Sequence, residues 1–141
     1  MPARAQYKYA DVARPKTRAD SDCIVRVSYL LFPKAQSLSI RMALSRFHDH
    51  PDVKVFATQN GIFDFVCAGS ALKYCLLASA EVDIFPRLVG SSEWDTAAGQ
   101  AVLEGVGGQV LDWNTGKSLK YGKARRRNPR LLSIRAPYHK D

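Results

Sequence analysis

Trp94-Asp95-Thr96-Ala97-Ala98-Gly99-Gln100-Ala101-Val102-Leu103, closing on Gly107-Gly108, decides the reading of this chain. Ala97, Ala98, Ala101, Val102, Gly105 and Val106 recur as neighbouring pairs four apart, the spacing of one continuous helical stripe. The helix is expected to start near Trp94. It should end at Gly107-Gly108, where a positive φ costs glycine little. So many small residues on one face imply close approach to a sheet or to a second helix. Asp95 stands at the mouth of this helix. Unpaired N–H groups and the positive end of the helix dipole favour its ionised form there.

The flanking segments alternate in type. Residues 23–32 (Cys-Ile-Val-Arg-Val-Ser-Tyr-Leu-Leu-Phe) suit a strand ended by Pro33, and residues 38–44 suit another. Ser45-Arg46-Phe47-His48-Asp49-His50-Pro51 breaks the pattern. Residues 53–57 read as a short strand, Asn60-Gly61 as a turn, and residues 63–67 as the returning partner strand. Ser70 is a candidate N-cap for a helix with Leu72, Cys75, Leu76 and Ser79 on one face. Residues 82–85 form a short buried strand stopped by Pro86. After the Gly-Gly pair, residues 109–113 are a strand, and Asn114-Thr115-Gly116 turns into residues 117–121. Strands, helix, strand, helix and strands in that order predict a layered α/β domain. Residues 1–35 read as a poorly defined tail or remnant, 36–135 as the α/β domain and 136–141 as a second tail.

Composition bounds the function. With 141 residues and 46% hydrophobic content the chain is large enough for one folded domain. No apolar run reaches the ~20 residues of a membrane span, and residues 1–20 lack the apolar core of a signal peptide. Cys23, Cys67 and Cys75 are too irregularly spaced for a disulfide framework or a zinc site, so reduced or buried thiols and a cytoplasmic location are expected. A His48-x-His50 metal site lacks evident third and fourth ligands. The formal charge is +8 and it is concentrated. Residues 120–135 hold Lys120, Lys123, Arg125, Arg126, Arg127, Arg130 and Arg135 and no acid. Such a field suits a polyanion or the inner face of a membrane, or is simply a solvated edge. No nucleic-acid module pattern accompanies it, which disfavours a nucleic-acid partner.

The Trp94–Gly108 stretch resembles the second signature of the inositol monophosphatase superfamily. Further segments are similar to the CysQ-type 3'(2'),5'-bisphosphate nucleotidases of that superfamily. Ala68-Gly69-Ser70-Ala71-Leu72-Lys73-Tyr74-Cys75 resembles their Gly-Ser-Ser-x-Lys-Phe-Cys. Phe85-Pro86-Arg87 followed by Glu93-Trp94-Asp95 resembles Tyr-Pro-Arg … Glu-Trp-Asp. Ser45-Arg46-Phe47-His48 resembles Ser-Arg-Ser-His. Tyr121-Gly122-Lys123 and Asn128-Pro129 resemble Tyr-x-Lys … Asn-Pro. These run in order from about residue 40 to 132, the C-terminal half of the family's chain.

The resemblance implies a fold and a site. The fold is the C-terminal portion of a layered α/β/α/β sandwich, a mixed sheet with two main helices. Asp95 would bind Mg²⁺, and Ser45, His48, Gly69, Ser70, Lys73 and Arg87 would hold the substrate, a nucleoside bisphosphate. Read without the family, Asp95 is a capping aspartate, Lys73 a surface lysine, Arg87 a partner for Glu93, and His48 and His50 ordinary loop histidines. Ala71 replaces a serine of the phosphate segment and loses one hydroxyl donor. Phe47 replaces a small polar residue, and Leu88-Val89-Gly90 replaces aromatic-Gly-Pro.

A larger difference is the family's Asp-Pro-(Ile/Leu)-Asp-Gly-Thr loop and its glutamate, which are not in this sequence. Two-metal hydrolysis of a phosphate ester needs several carboxylates to place ions ~4 Å apart. The expectation is therefore a fragment of a Mg²⁺-dependent bisphosphate nucleotidase with little or no activity alone. The alternative is a non-catalytic nucleotide- or polyanion-binding module. A lone half leaves an apolar face uncovered, which predicts an N-terminal half chain as partner or a homo-oligomer.

Overall fold

The computed structural model describes residues 39–46, 50–69 and 71–136. The strand expected over residues 23–32, the two expected tails, Cys23, His48 and Ser70 lie outside these residues, except that the second tail's first residue, Ala136, is described.

The strand expected over residues 38–44 is β1, Arg41–Ser45. The strand expected over residues 53–57 is instead part of a helix, α1, Pro51–Gln59. Two local features start it. Pro51 stands at a first-turn position, where its missing N–H is no loss. His50 caps the end, its Nδ1 accepting the backbone N–H of Asp52 at 3.2 Å. Val53, Phe56 and Ala57 then fall three and four apart on one buried face. The β-branched Val53 and Val55 suggest a strand only when read without that cap.

Gly61, at φ 63, makes the expected turn. β2, Asp64–Ala68, follows, but it does not return on residues 53–57. It lies parallel to β1 over five matched pairs, from Arg41↔Asp64 to Ser45↔Ala68. A parallel pair needs a crossover element, and α1 supplies it.

The helix expected after Ser70 is α2, Leu72–Ala78, capped by Ala71 without a side-chain bond. Its buried face is Lys73, Tyr74 and Leu77 rather than the Leu72/Cys75 face. Leu72 is 55% exposed, and Cys67 and Cys75 are free, exposed thiols. β3, Ile84–Arg87, runs through Pro86 instead of stopping there. β4, Ser91–Ser92, and a 3-10 turn, Glu93–Asp95, precede α3, Ala97–Gly105. β5, Gln109–Asp112, β6, Arg127–Asn128, and β7, Leu131–Ile134, complete the domain; residues 117–121 contribute only the isolated bridge Leu111↔Ser118.

The main sheet has the order β2-β1-β3-β7-β5, with β4 and β6 forming a small second ribbon. It is mixed, as expected: β7 is antiparallel to both β3 and β5. Alternating side chains divide the core by the period of two of a strand. Met42, Ile84, Leu111 and Leu132 face α1. Ala43, Phe85, Val110 and Leu131 face α2 and α3. Met42, Ile84 and Leu132 are at most 1% exposed, and each such side chain contributes about 1.5–3 kcal/mol by leaving water.

The small-residue stripe of α3 does not make the expected close approach. Ala97, Ala98, Ala101, Val102, Gly105 and Val106 are exposed. The opposite face, Gly99, Gln100 and Leu103, is buried. Gly99 alone permits the contact with α2, because a Cβ there would stand 2.4 Å from the Tyr74 ring. Gln100 tolerates burial because its amide reaches Glu104 at 2.7 Å and its carbonyl receives the Tyr121 hydroxyl at 2.6 Å.

Candidate functional site

The parallel strands β1, β2 and β3 end on one edge of the sheet. Ser45 closes β1, Gly69 follows β2, and Arg87 closes β3. Ligands of open α/β sheets bind at such carboxyl edges. α3 starts at this edge too, because it returns from the end of β3 to the start of β5. Of the site residues expected along the chain, Ser45, Gly69, Lys73, Arg87 and Asp95 thus collect at one end of the fold.

β1 and β3 share one matched pair, Met42↔Ile84, and then part. Pro86 lies just beyond it, a residue with no N–H to give a neighbouring strand. The gap is a cleft lined by Leu44, Ser45, His50, Val53, Pro86 and Arg87. Arg87 Nε is buried and has no hydrogen-bond partner.

Lys73 is not a surface lysine. It is 1% exposed. Its Nζ donates to the Ala68 carbonyl at 3.1 Å and sits 4.9 Å from the centre of the Phe85 ring. Burial pushes its pKa below the ordinary lysine value, and the nearby Arg87 cation pushes in the same direction. No carboxylate pairs with either cation among the described residues. Glu93, the alternative partner for Arg87, is engaged elsewhere. It takes Lys123 Nζ at 2.9 Å and Arg126 Nη1 at 3.4 Å. The Lys123 backbone N–H is the largest of several donors that hold its pKa at about 2.

Asp95 is exposed, in the 3-10 turn that precedes α3 rather than in the first turn of α3 itself. Its Oδ2 accepts the Ser92 N–H at 2.8 Å, half of a reciprocal capping box with the Ser92 side chain. The capping role is therefore real and occupies one oxygen. Asp95 and Arg87 both act on the Tyr74 phenol, whose pKa rises to about 12, mainly through burial.

The turn carrying Asp95 is braced by the later motif. Buried Asn128 donates through Nδ2 to the Ser92 carbonyl at 2.9 Å and to Thr96 Oγ1 at 3.0 Å. The Tyr121 hydroxyl meets Thr96 Oγ1 at 3.2 Å. Tyr121, Lys123 and Asn128 thus hold the turn from behind. Burial also raises the Tyr121 pKa. In the sequence these residues stand in a motif that carries no evident role. Buried polar side chains far apart in sequence find each other only in the fold.

Most of the basic run has partners within the fold, although Arg126, Arg127 and Arg130 stay exposed. Lys123 and Arg126 hold Glu93, Arg127 donates to Ser92 Oγ at 3.0 Å, Arg130 faces Asp52 at 3.5 Å, and Arg135 is buried against Asp83.

The sequence model of the inositol monophosphatase family matches residues 26–135. The chain belongs to this family. Among family members it is similar to the 3'(2'),5'-bisphosphate nucleotidase CysQ of Escherichia coli K12, 39% identical over 80 residues, 57% of this chain and 32% of that one. It is 46% identical over 68 residues to the uncharacterized protein in the pss 5' region of Rhizobium leguminosarum bv. phaseoli, covering 48% of this chain and 70% of that one. The crystal structure of CysQ from Bacteroides thetaiotaomicron, a bacterial member of the inositol monophosphatase family, superposes with a TM-score of 0.64 at 28% identity. That match covers 77% of this chain and 41% of that one. The chain therefore spans about a third of the E. coli CysQ and less than half of the Bacteroides one.

The family implies a divalent metal. Asp95 fits as one ligand, with one carboxylate oxygen outside the capping box. Among the described residues no group of three His, Cys, Asp or Glu side chains gathers to complete a site.

Proposed function

We propose that this chain supplies the anion-gripping wall of a Mg²⁺-dependent 3'(2'),5'-bisphosphate nucleotidase, which releases the 3'-phosphate of adenosine 3',5'-bisphosphate and leaves AMP. The observation that carries the reading is the Lys73–Arg87 pair. Arg87 stands close enough to Lys73 to disfavour the lysine's charge, at the carboxyl edge of three parallel strands, and among the described residues no carboxylate pairs with either. A multiply charged phosphate ester relieves that repulsion, and an unpartnered Arg87 Nε is a donor awaiting such a group. The likeness to CysQ proteins supports the nucleotide bisphosphate as substrate.

Magnesium, when bound, supplies charge neutralisation at the scissile phosphate and an acidified water. Asp95 offers one carboxylate toward it. In this reading the remaining carboxylates come from further polypeptide that covers the exposed apolar face of α2 and α3. Leu72 is 55%, Trp94 73% and Val102 50% exposed on that side.

The test measures phosphate release from adenosine 3',5'-bisphosphate with Mg²⁺, and binding of the same compound. The chain is assayed alone and mixed with the part of E. coli CysQ that precedes the matched region. The chain alone should bind and release little; the mixture should release phosphate, and Asp95→Asn should stop it. Failure of the chain to bind the bisphosphate in either setting overturns the reading. The lone carboxylate favours a second reading, nucleotide binding without turnover. It predicts binding that ignores Mg²⁺ and no activity in any mixture. A polyanion or membrane-surface role for the basic run has less support, because most of those side chains already have partners within the fold.

A further inference from the structure

We infer that His50 is a ligand-binding residue of the Ser45–Arg87 cleft, donating its Nε2–H to a phosphate-type oxyanion held there by Arg87. The inference rests on the reading above that this edge of the sheet takes a phosphorylated ligand.

His50 lines the cleft from the start of α1, opposite Arg87 at the end of β3. Its Nδ1 accepts the Asp52 N–H, which requires the neutral ring's hydrogen to lie on Nε2. The nitrogen left for a ligand is thus a donor, and the ring, 34% exposed, is reachable. If the ring gains a second proton, Asp52 Oδ2 at 3.5 Å faces Nδ1, and Nε2 still donates. Arg130 Nη2, 3.5 Å from Asp52 Oδ2, shares that carboxylate, and Arg87 lines the same cleft as the imidazole.

The backbone of α1 cannot replace this donor. Pro51 has no N–H, the Asp52 N–H is taken by Nδ1, and the Val53 N–H donates to the His50 carbonyl at 2.9 Å. Among the described residues the side chains that can donate to an anion there are the Arg87 guanidinium, the Ser45 hydroxyl and the His50 imidazole, and no carboxylate lines the cleft. Apolar walls from Leu44, Val53 and Pro86 strengthen such bonds by lowering the local dielectric. The cleft is shallow and open to solvent, with about 240 Å³ of space once its mouth is included.

An N-cap needs only a short acceptor, and Asn or Asp caps better than an imidazole. This separates the two roles of His50. His50→Asn keeps an acceptor for the first turn and removes the reach into the cleft. His50→Gln restores an N–H donor at comparable length. Adenosine 3',5'-bisphosphate is the probe, with AMP and inorganic phosphate beside it, and ring ¹⁵N shifts of the wild-type His50 are followed during titration. Affinity for the bisphosphate should fall about tenfold in His50→Asn, as for loss of one charge-assisted hydrogen bond. It should recover largely in His50→Gln, with the melting temperature of His50→Asn unchanged. A bound wild type whose Nε2 resonance does not move, or equal affinity in His50→Asn, overturns the role of His50 and leaves the nucleotidase reading intact. A wild type that binds none of the three probes overturns both.

Discussion

Glu93 Oε1 receives the backbone N–H and the ammonium of the same residue, Lys123, each at 2.9 Å. This double contact ties the 121–127 loop to the turn that carries Asp95. It is also an acid-sensitive joint. A carboxylate held near 2 in the folded chain, against an ordinary value of 4.5, binds fewer protons folded than unfolded. Its stabilisation is complete above pH 4.5 and is lost as pH falls from there through about 2. Urea midpoints at pH 6, 4 and 2.5 should therefore decline, and Glu93→Gln should start lower and decline less. Parallel declines in the two proteins would assign the acid sensitivity to another group.

Gly99 and Gly105 lie on one helix and predict opposite signs. A methyl at Gly99 drives into the Tyr74 side chain, which is 2% exposed and has no room to retreat. Gly99→Ala should destabilise by about 1–3 kcal/mol through overpacking. At Gly105 a methyl meets nothing within 4 Å. Gly105→Ala should stabilise by about 0.5–1 kcal/mol through helix propensity. Chemical denaturation of the two variants checks both.

These two glycines mark how far the sequence could be read. The strands near residues 38–44, 63–67, 82–85 and 109–113, the helices after Ala71 and Thr96, the Asn60-Gly61 turn and the Gly107-Gly108 stop are local, and they appear close to where pattern placed them. Which face of α3 is buried is not local. The apolar stripe stays exposed, while Gln100 turns inward because Tyr121, twenty-one residues on, accepts its company. Likewise residues 53–57 have the composition of a strand, and only the cap at His50 makes them helical. Motif order groups Ser45, Gly69, Lys73, Arg87 and Asp95 in the sequence, and the fold brings them to one edge of the sheet. The depth of Lys73 and the place of His50 in the cleft depend on how β1 and β3 separate, which no linear spacing encodes.

Asp83 and Arg135 form a buried ion pair between the start of β3 and the end of β7. Arg135 is 3% exposed, and Asp83 also accepts the Arg41 N–H at 2.7 Å. Removing one member leaves the other charge in a poorly solvated place. Asp83→Ala and Arg135→Ala should each cost about 3–5 kcal/mol. The double variant should cost less than their sum, and strict additivity in a double-mutant cycle would refute the coupling.

The exposed stripe on α3 predicts association. Val102 and Val106 are each 50% exposed and Trp94 73%, so the chain should self-associate with rising concentration. Ala98→Glu with Val102→Lys places an i,i+4 ion pair on that face, with the acid toward the N-terminus. Sedimentation should show the double variant monomeric at concentrations where the parent associates, with melting temperature equal or slightly higher. Equal association in both would move the interface elsewhere.

Lys73→Met separates affinity from stability at the heart of the site. The ammonium is buried without a carboxylate, so the apo fold carries a desolvation cost that methionine, of similar length, does not. A lysine whose folded pKa lies below 10.5 binds fewer protons folded than unfolded between those values, so this group makes the chain more stable as pH rises through that window. Lys73→Met should remove that rise and match or exceed the parent in stability at pH 7. If the ammonium exists to meet phosphate, the same variant should bind adenosine 3',5'-bisphosphate at least tenfold more weakly. A variant that loses stability and keeps affinity would make Lys73 a packing residue, its bond to the Ala68 carbonyl and its place over Phe85 being its whole function.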